Sequence, residues 1–254
     1  MTALPRLLIT HPAASLLLVT SMSCVSAFAQ APSPASTLSP LVQTSPLALT
    51  APWQLTLLPT SYKIPASRFE PALVDGEPAL ALRTARSYGS LVHSFRPAAP
   101  GRLRWQWRLD SPLGGANIAE RDGDDSALKV CVMFDQPLAD MPLLERTTLR
   151  LARAASGGPL PAATLCYLWD SRYPAGLAGS NAYTARVRYI VLQGPAAPLG
   201  AWVSQERDVA DDFRQLFGTE SQHVPPITAV AIGADSDNTQ GSSLGYLRRL
   251  QWLD

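Results

Sequence analysis

Residues 122–135 read DGDDSALKVCVMFD, an acidic loop that runs directly into an apolar, β-prone stretch. The run Ala127–Phe134 is long enough to form a buried strand. A second apolar run, Ile227–Ala234, leads into another acidic loop, Asp235–Thr239. Two strands that each carry a carboxylate cluster at one end predict a sheet with a polar rim.

Strand-like runs separated by turn signals continue outward from this stretch in both directions. The turns are marked by Asp75-Gly76, Ala99-Pro100-Gly101, Gly194-Pro195 and Gly241. This spacing predicts an all-β fold, an antiparallel β-sandwich of the jelly-roll kind, rather than alternating strand and helix units. The predicted strands are Gln54–Leu58, Ala79–Thr84, Ser90–Phe95, Arg102–Leu109, Ala127–Phe134, Thr164–Trp169, Ala185–Gln193, Ala201–Gln205, Ile227–Ala234 and Leu244–Trp252.

The alternation of apolar and polar residues is clearest in residues 102–110. Apolar side chains (Leu103, Trp105, Trp107, Leu109) share one face of this strand, and polar side chains share the other. Two tryptophans on one face could stack against a sugar, but the leucines on either side favour packing in the core.

Two short helices are expected to interrupt the sheets. Asp208 can cap a helix over residues 209–217, in which apolar side chains recur at helical spacing and Gly218 follows. A second helix is predicted over Met141–Ala155, before Gly157-Gly158.

Residues 1–29 have the pattern of a secretory signal peptide, with Arg6 near the start and a small-x-small cleavage site before Gln30. Their apolar stretch is too short and too interrupted for a membrane span. An uncleaved anchor and lipidation at Cys24 are the alternatives. Residues 30–52, rich in Pro, Ser, Ala and Thr, predict a flexible linker, and residues 53–254 a single domain. We therefore expect a periplasmic or secreted protein with no membrane span after signal cleavage.

Charge and cysteine content narrow the possible partners and the compartment. The chain has 21 basic and 20 acidic residues, which argues against nucleic acid as a partner, because that binding relies on a basic footprint. Beyond the signal, two cysteines remain, Cys131 and Cys166, each within a predicted strand. In an oxidising compartment they form a disulfide if their strands are neighbours, and otherwise they stay as two buried thiols.

Several catalytic motifs are incomplete in this sequence. Residues 241–245 match the G-x-S-x-G pattern, but no histidine follows them. Beyond the signal only His93 and His223 remain, without the spacing of a zinc motif, and no glycine-rich phosphate loop is present. These observations argue against a hydrolase built on histidine or zinc.

Carboxylate chemistry remains, because the two acidic loops offer the oxygen donors that calcium prefers. Asp235–Gly241 begins like an EF-hand loop, but its glycine is one place late and Tyr246 stands where a bidentate Glu is needed. A calcium site would therefore be assembled from separate loops, with Asp124, Asp125, Asp235 and Asp237 as ligands. The alternatives are aspartates that only form turns, or an acid/base pair of a glycoside hydrolase or lyase.

Five segments in order have a recognisable pattern: GDDSALKVCVMFD, TLCYLWD, RYIVLQG, LGAWVSQERDVADDFRQLFG and AIGADSDNTQG. Together they resemble an exported bacterial family catalogued only as a domain of unknown function, family 3047 of that series. The resemblance runs from Trp53 to the C-terminus and implies a single secreted β-rich domain, with no activity, cofactor or catalytic residue to carry over. Cysteine is not part of that pattern at positions 131 and 166, so a disulfide there would be peculiar to this chain.

Three functions compete for this chain. The first is a non-catalytic module that binds a glycan or another cell-envelope component, supported by the fold class, the polar rim and the tryptophans. A structural envelope protein and a carboxylate-based glycoside hydrolase or lyase are the alternatives. If the two acidic loops meet, either a cation or the nearest arginines, Arg121 and Arg207, must neutralise them. The candidate ligand contacts are Asp124, Asp125, Trp169, Arg207, Asp235, Asp237 and Asn238.

Overall fold

The apolar run that follows the first acidic loop forms a central strand, as its sequence predicts. The computed structural model describes residues 37–156 and 160–253. Two α-helices, α1 (Leu143–Ser156) and α2 (Val209–Phe217), and short 3-10 turns at Thr60–Tyr62, Arg121–Gly123 and Leu138–Asp140 accompany the strands. The strands are β1 (Val42–Thr44), β2 (Leu47–Leu49), β3 (Gln54–Thr56), β4 (Arg68–Val74), β5 (Glu77–Ala85), β6 (Ser90–Ala98), β7 (Arg102–Ser111), β8 (Leu128–Phe134), β9 (Ala163–Trp169), β10 (Ala178–Ser180), β11 (Val187–Gln193), β12 (Val203–Asp208), β13 (Ile227–Gly233) and β14 (Ser242–Leu253).

The strands form a β-sandwich with jelly-roll topology, which confirms the predicted fold class. One sheet has the order β12-β7-β14-β5-β4 and the other β10-β11-β9-β8-β13-β6-β3. Within them, β5-β14-β7-β12 faces β6-β13-β8-β9, so that successive strands mostly alternate between the two sheets, as in a jelly roll. The pair β9–β11 is parallel, while the other strand pairs named in these sheets are antiparallel.

The core lies between the sheets and is rich in aromatic side chains. Trp105 and Trp107 are fully buried, and their rings lie 5.3 Å from Tyr167 and 5.7 Å from Trp169 between ring centroids. The two tryptophans of β7 therefore pack in the core and offer no stacking surface to a sugar.

Helix α2 closes one end of the core, and its predicted cap is confirmed. The Asp208 carboxylate accepts a hydrogen bond from the backbone N–H of Asp211 at 3.0 Å. Phe213 is 1% exposed, with its ring centroid 4.6 Å from that of Phe134. Asp212 faces inward and accepts a hydrogen bond from the Tyr167 hydroxyl at 2.7 Å.

The N-terminal part of the described chain differs from the predicted flexible linker. β1 and β2 form a hairpin within residues 30–52, and Leu41 before it is 5% exposed. The backbone N–H of Ser39 donates a hydrogen bond to Nε2 of the buried His93 at 3.0 Å. A few apolar residues between the prolines, such as Leu41, pack against the core, although the Pro- and Ser-rich composition predicts a linker without such contacts. The predicted signal, residues 1–29, lies outside the described residues, as do Cys24 and the cleavage site before Gln30.

The outer face of the seven-stranded sheet carries a second apolar cluster around the two cysteines. Cys131 on β8 lies directly opposite Cys166 on β9, and the structure bonds their sulfur atoms. Leu168, Tyr189 and Val191 pack around them. Both faces of β9 are therefore buried. Among the described residues, no helix is long and apolar enough to cross a membrane.

Candidate functional site

The two acidic loops meet at one rim of the sandwich. β13 and β8 are antiparallel neighbours with Gly233 opposite Lys129, so the end of β13 lies beside the start of β8. The residues that follow β13 therefore adjoin those that precede β8. The carboxylates of Asp125, Asp235 and Asp237 come within 4.8 Å of one another, and we refer to these three side chains as the acidic rim.

Two of the three carboxylates are buried and satisfied by protein donors. Asp125 is 1% exposed and accepts hydrogen bonds from the Asn238 N–H at 3.2 Å and from the Thr239 N–H and hydroxyl, both at 2.6 Å. Asp235 accepts from the backbone N–H of Ser126 at 2.7 Å. These bonds tie the loop before β8 to the loop after β13, a role typical of aspartate at strand ends.

Lys129 supplies the positive charge at the rim, and sequence reasoning missed it. Its Nζ lies 2.5 Å from a carboxylate oxygen of Asp235, and both side chains are largely buried. Gly233 leaves room for the lysine stem, since a Cβ there would lie 2.6 Å from Lys129 Cε. Burial alone would lower the pKa of Lys129, but Asp235, Tyr88 and Asp124 together raise it above its ordinary value. A lysine within an apolar strand was the available signal, because such a charge requires a partner.

The arginines expected to neutralise the acidic loops are bound elsewhere, which corrects that expectation. On β12, Arg207 lies opposite Leu103, near the start of β7. The acidic rim lies near the other end of β7, where the start of β14 is opposite Ser111. Its guanidinium donates to Asp212 of α2 at 2.9 Å. The guanidinium of Arg121 lies over the Tyr183 ring, 5.3 Å from its centroid. Arg207 is therefore not part of a shared site with the acidic loops.

Trp169, predicted as a ligand contact, lies in the core and outside the acidic rim. It is 2% exposed, and it also lines a cavity of about 380 Å³ between the loops at 112–116, 170–172 and 194–199. The carboxylate of Asp170, in the same cavity, accepts hydrogen bonds from the backbone N–H groups of Arg172 and Tyr173. The sequence of β9 does not alternate between apolar and polar residues, because both faces of the strand are buried. It therefore does not predict which way the Trp169 side chain points.

Asp237 is the least compensated carboxylate of the rim, because only a backbone hydrogen bond and the charge of Lys129 favour its ionised form. No described side chain donates a hydrogen bond to it, whereas Asn181 donates to Asp124 at 2.5 Å. Burial raises the pKa of Asp237 to about 6, and the carboxylates of Asp235 and Asp125 act in the same direction. Burial likewise raises the pKa of Asp124, although the Asn181 hydrogen bond opposes this.

The rim fits an internal ion pair better than a calcium site. Calcium takes six to eight oxygen ligands, but both oxygens of Asp125 and of Asp235 already accept hydrogen bonds from the protein. A calcium ion would also lie close to the Lys129 ammonium group. The Asn238 side-chain amide donates its N–H groups to the Arg121 carbonyl and the Tyr183 hydroxyl. This side chain therefore also holds the loops together.

The same burial limits what the rim can do as an acid/base pair. A glycoside hydrolase needs two carboxyl groups that both reach the scissile bond. Asp125 and Asp235 are 1% and 4% exposed, so a substrate reaches neither. Of the three, only Asp237 is partly exposed, and the pKa of its carboxyl group is raised to about 6. The geometry of the rim therefore suits loop closure more than hydrolysis.

A second candidate surface lies on the outer face of the five-stranded sheet. Trp202, directly before β12, and Tyr246, on β14, are half-buried there, with ring centroids 6.5 Å apart. Strand register places Tyr246 between Arg108 on β7 and Ala81 on β5. We refer to Trp202, Tyr246, Gln106, Arg108 and Arg248 as the aromatic face.

Polar contacts fix the orientation of Trp202. Its indole N–H donates to the Asp75 carboxylate at 2.9 Å, and the Arg248 guanidinium lies over the ring, 3.9 Å from its centroid. Arg248 is held in turn, donating to Gln106 at 2.8 Å and lying 3.3 Å from Glu77. The ring is therefore positioned before any ligand arrives.

Sequence reasoning found only part of this surface. Gln106 and Arg108 lie on the polar face that the alternation of β7 predicts. The available signal for Tyr246 was its place in β14, where it and Arg248 alternate with the buried Gly245 and Leu247. The aromatic face forms because β12, β7, β14 and β5 are neighbours in the sheet. That order of strands cannot be predicted from the pattern of apolar and polar residues.

Comparison with protein families gives one match, over residues 51–251, to a family described as "Protein of unknown function (DUF3047)". None of the curated proteins matches the chain.

Among solved structures, the chain is similar to the enzymatically active domain of bacteriophage CBA120 tailspike protein 4, with 9% identity and a TM-score of 0.35. That match covers 80% of this chain but only 19% of the tailspike chain. TmCBM61 in complex with β-1,4-galactotriose gives 8% identity and a TM-score of 0.32, covering 80% of this chain and 88% of that chain. The xyloglucanase domain of NopAA, a type three effector from Sinorhizobium fredii, gives 8% identity and a TM-score of 0.37. That match covers 80% of this chain and 98% of the NopAA chain.

Proposed function

Because the chain belongs to the family of unknown function DUF3047, we propose a function from its own residues: it is a non-catalytic module that binds a glycan. The aromatic face is the binding surface in this proposal. The observation that carries it is the half-buried ring of Trp202, held beside Tyr246 on a sheet face among several planar polar groups.

The composition of the aromatic face suits a sugar. Small-molecule sites combine aromatic side chains with a few fixed polar groups that determine orientation. A sugar ring offers C–H groups to an aromatic ring and hydroxyl groups to amide, carboxylate and guanidinium groups. Tyr246 and Trp202 supply the rings, and Gln106, Asp75 and Glu77 supply the polar groups.

Preorganisation supports binding without a conformational change. The Trp202 indole is anchored by Asp75, and Arg248 is anchored by Gln106 and Glu77. Side chains that are already immobile lose little further entropy when a ligand binds. A rigid stacking surface is therefore available at low entropic cost.

The proposed setting is outside the cytoplasm, since residues 1–29 have a signal pattern and a disulfide persists in an oxidising compartment. The acidic rim serves this module by closing the loops at one end of the sandwich.

The test compares the wild type with Trp202→Ala and Tyr246→Ala on a panel of immobilised bacterial and plant oligosaccharides, with affinity measured by calorimetry for each positive. We expect each substitution to weaken binding by about tenfold or more, as for loss of an aromatic anchor. Tyr62→Ala is the control, because Tyr62 is 64% exposed and lies in a separate 3-10 turn. Binding that survives both substitutions rules out this surface, and absence of any glycan binding favours a structural envelope role.

A further inference from the structure

Two arginines face each other at the edge of the five-stranded sheet. Arg68 on β4 is directly opposite Arg83 on β5, and both side chains are exposed. Opposite residues of an antiparallel pair have Cβ atoms only about 5 Å apart, and like charges in this position destabilise the sheet. Without an anion between them, these two arginines therefore lower the stability of the sheet.

The other arginines on this face have close carboxylate partners. Arg108 lies 2.6 Å from Asp110, and Arg248 lies 3.3 Å from Glu77. Arg83 comes only within 3.9 Å of Glu70, with both side chains about half exposed, so their attraction is weak. Among the described residues, none forms an ion pair with Arg68. The positive charge of Arg68 and Arg83 is therefore largely uncompensated.

These arginines line an open cleft of about 530 Å³. Ser111 and Ser242, whose side chains are exposed, lie on its wall and offer hydroxyl groups. We refer to Arg68, Arg83, Ser111 and Ser242 as the arginine cleft. Its volume lies within the range of small-molecule sites.

The arginine cleft adjoins the aromatic face. Leu244 on β14 is opposite Arg83, and Tyr246, two residues further along β14, is opposite Ala81. Two residues along a strand span about 7 Å. A chain of linked sugars that stacks on Tyr246 can therefore extend into the cleft.

We propose that the arginine cleft binds the carboxylate or sulfate group of an acidic glycan whose neighbouring rings stack on the aromatic face. The inference rests on the proposed glycan binding and names the ligand class. Guanidinium groups bind carboxylate and sulfate through paired, charge-assisted N–H···O bonds. An anion between Arg68 and Arg83 removes their repulsion, and the serine hydroxyl groups can donate to its remaining oxygens.

The experiment uses matched glycan pairs on the full chain, each with an acidic and a neutral member: polygalacturonate against galactan, and κ-carrageenan against its desulfated form. We expect the wild type to prefer an acidic member by about tenfold, the effect of one charge-assisted bond. Arg68→Gln and Arg83→Gln should remove that preference and leave binding of the neutral member unchanged. Arg150→Gln, on the exposed side of α1, is the control and should behave as the wild type.

The outcomes separate the two proposals. Equal binding of neutral and acidic members that still depends on Trp202 overturns the acidic ligand and leaves glycan binding intact. Binding of no member counts against both. A glycan-independent measurement follows the side-chain Nε–H resonances of Arg68 and Arg83 while sodium sulfate replaces sodium chloride at constant ionic strength. We expect both resonances to shift, and unchanged resonances overturn the cleft as an anion site.

Discussion

Replacing Asp237 with asparagine should stabilise the protein at neutral pH. The carboxyl group of Asp237 has a pKa of about 6, because burial and the carboxylates of Asp235 and Asp125 oppose its ionisation. An unfolded chain holds that proton less tightly than the folded one. The stabilisation that the proton provides is therefore complete below about pH 4 and is lost as the pH rises through 6.

The size of the effect follows from the pKa. A rise from the ordinary value of 3.8 to about 6 is equivalent to roughly 3 kcal/mol at most. Because Asp237 is only partly buried, screening by solvent reduces the expected gain for Asp237→Asn to about 1 kcal/mol at pH 8. At pH 4 the gain should be small, because the folded chain is then almost fully protonated and the unfolded chain, with its ordinary pKa of 3.8, is nearly half protonated.

Urea unfolding at pH 4 and pH 8 measures the difference in unfolding free energy. Asp122→Asn is the matched control, because Asp122 is exposed in the other acidic loop and its replacement removes the same charge. A lower unfolding free energy for Asp237→Asn at pH 8 would refute the reasoning. If that loss also depended on added calcium and disappeared with a chelator, Asp237 would be a metal ligand after all.

Three further predictions concern the fold and its compartment. Reduction of the Cys131–Cys166 bond, which spans 35 residues, should lower the unfolding free energy by about 3–4 kcal/mol; two free thiols in unfolded, unreduced protein would contradict the bond. Asp208→Ala should cost about 1 kcal/mol through the lost cap, and Phe213→Ala about 3 kcal/mol through a core cavity; equal small losses would show that α2 is not packed against the core. Mass spectrometry of the periplasmic fraction should find Gln30 at the mature N-terminus, and a retained signal or a lipidated chain would count against cleavage.

Local sequence patterns predicted most of the individual strands and helices, because side-chain alternation and helix capping depend on residues close together in the sequence. The alternation of β7 places Trp105 and Trp107 in the core, and the cap at Asp208 positions α2. β4 escaped prediction because Pro71 interrupts its pattern, and a proline is tolerated there since β4 pairs only with β5. The hairpin of β1 and β2 escaped because its apolar residues are few and lie among prolines.

The candidate site was harder to predict, because it depends on pairings between distant strands. Trp202 lies 127 residues from Asp75, its hydrogen-bond partner. Proximity in sequence suggested Arg207 as a partner for the acidic loops, whereas it binds Asp212, five residues away, at the other end of the sandwich. Lys129 lies 106 residues from Asp235, and only the antiparallel register of β8 and β13 brings them together.

The most direct test of glycan recognition at the aromatic face follows the indole N–H resonances during titration with the tightest-binding oligosaccharide of the panel. Trp202→Phe identifies the Trp202 signal by its loss. We expect that signal to shift with ligand concentration, while those of the buried Trp105 and Trp107 stay in place. A ligand that binds without moving the Trp202 signal, and instead perturbs the backbone amides of the acidic rim, would contradict the assignment of the site.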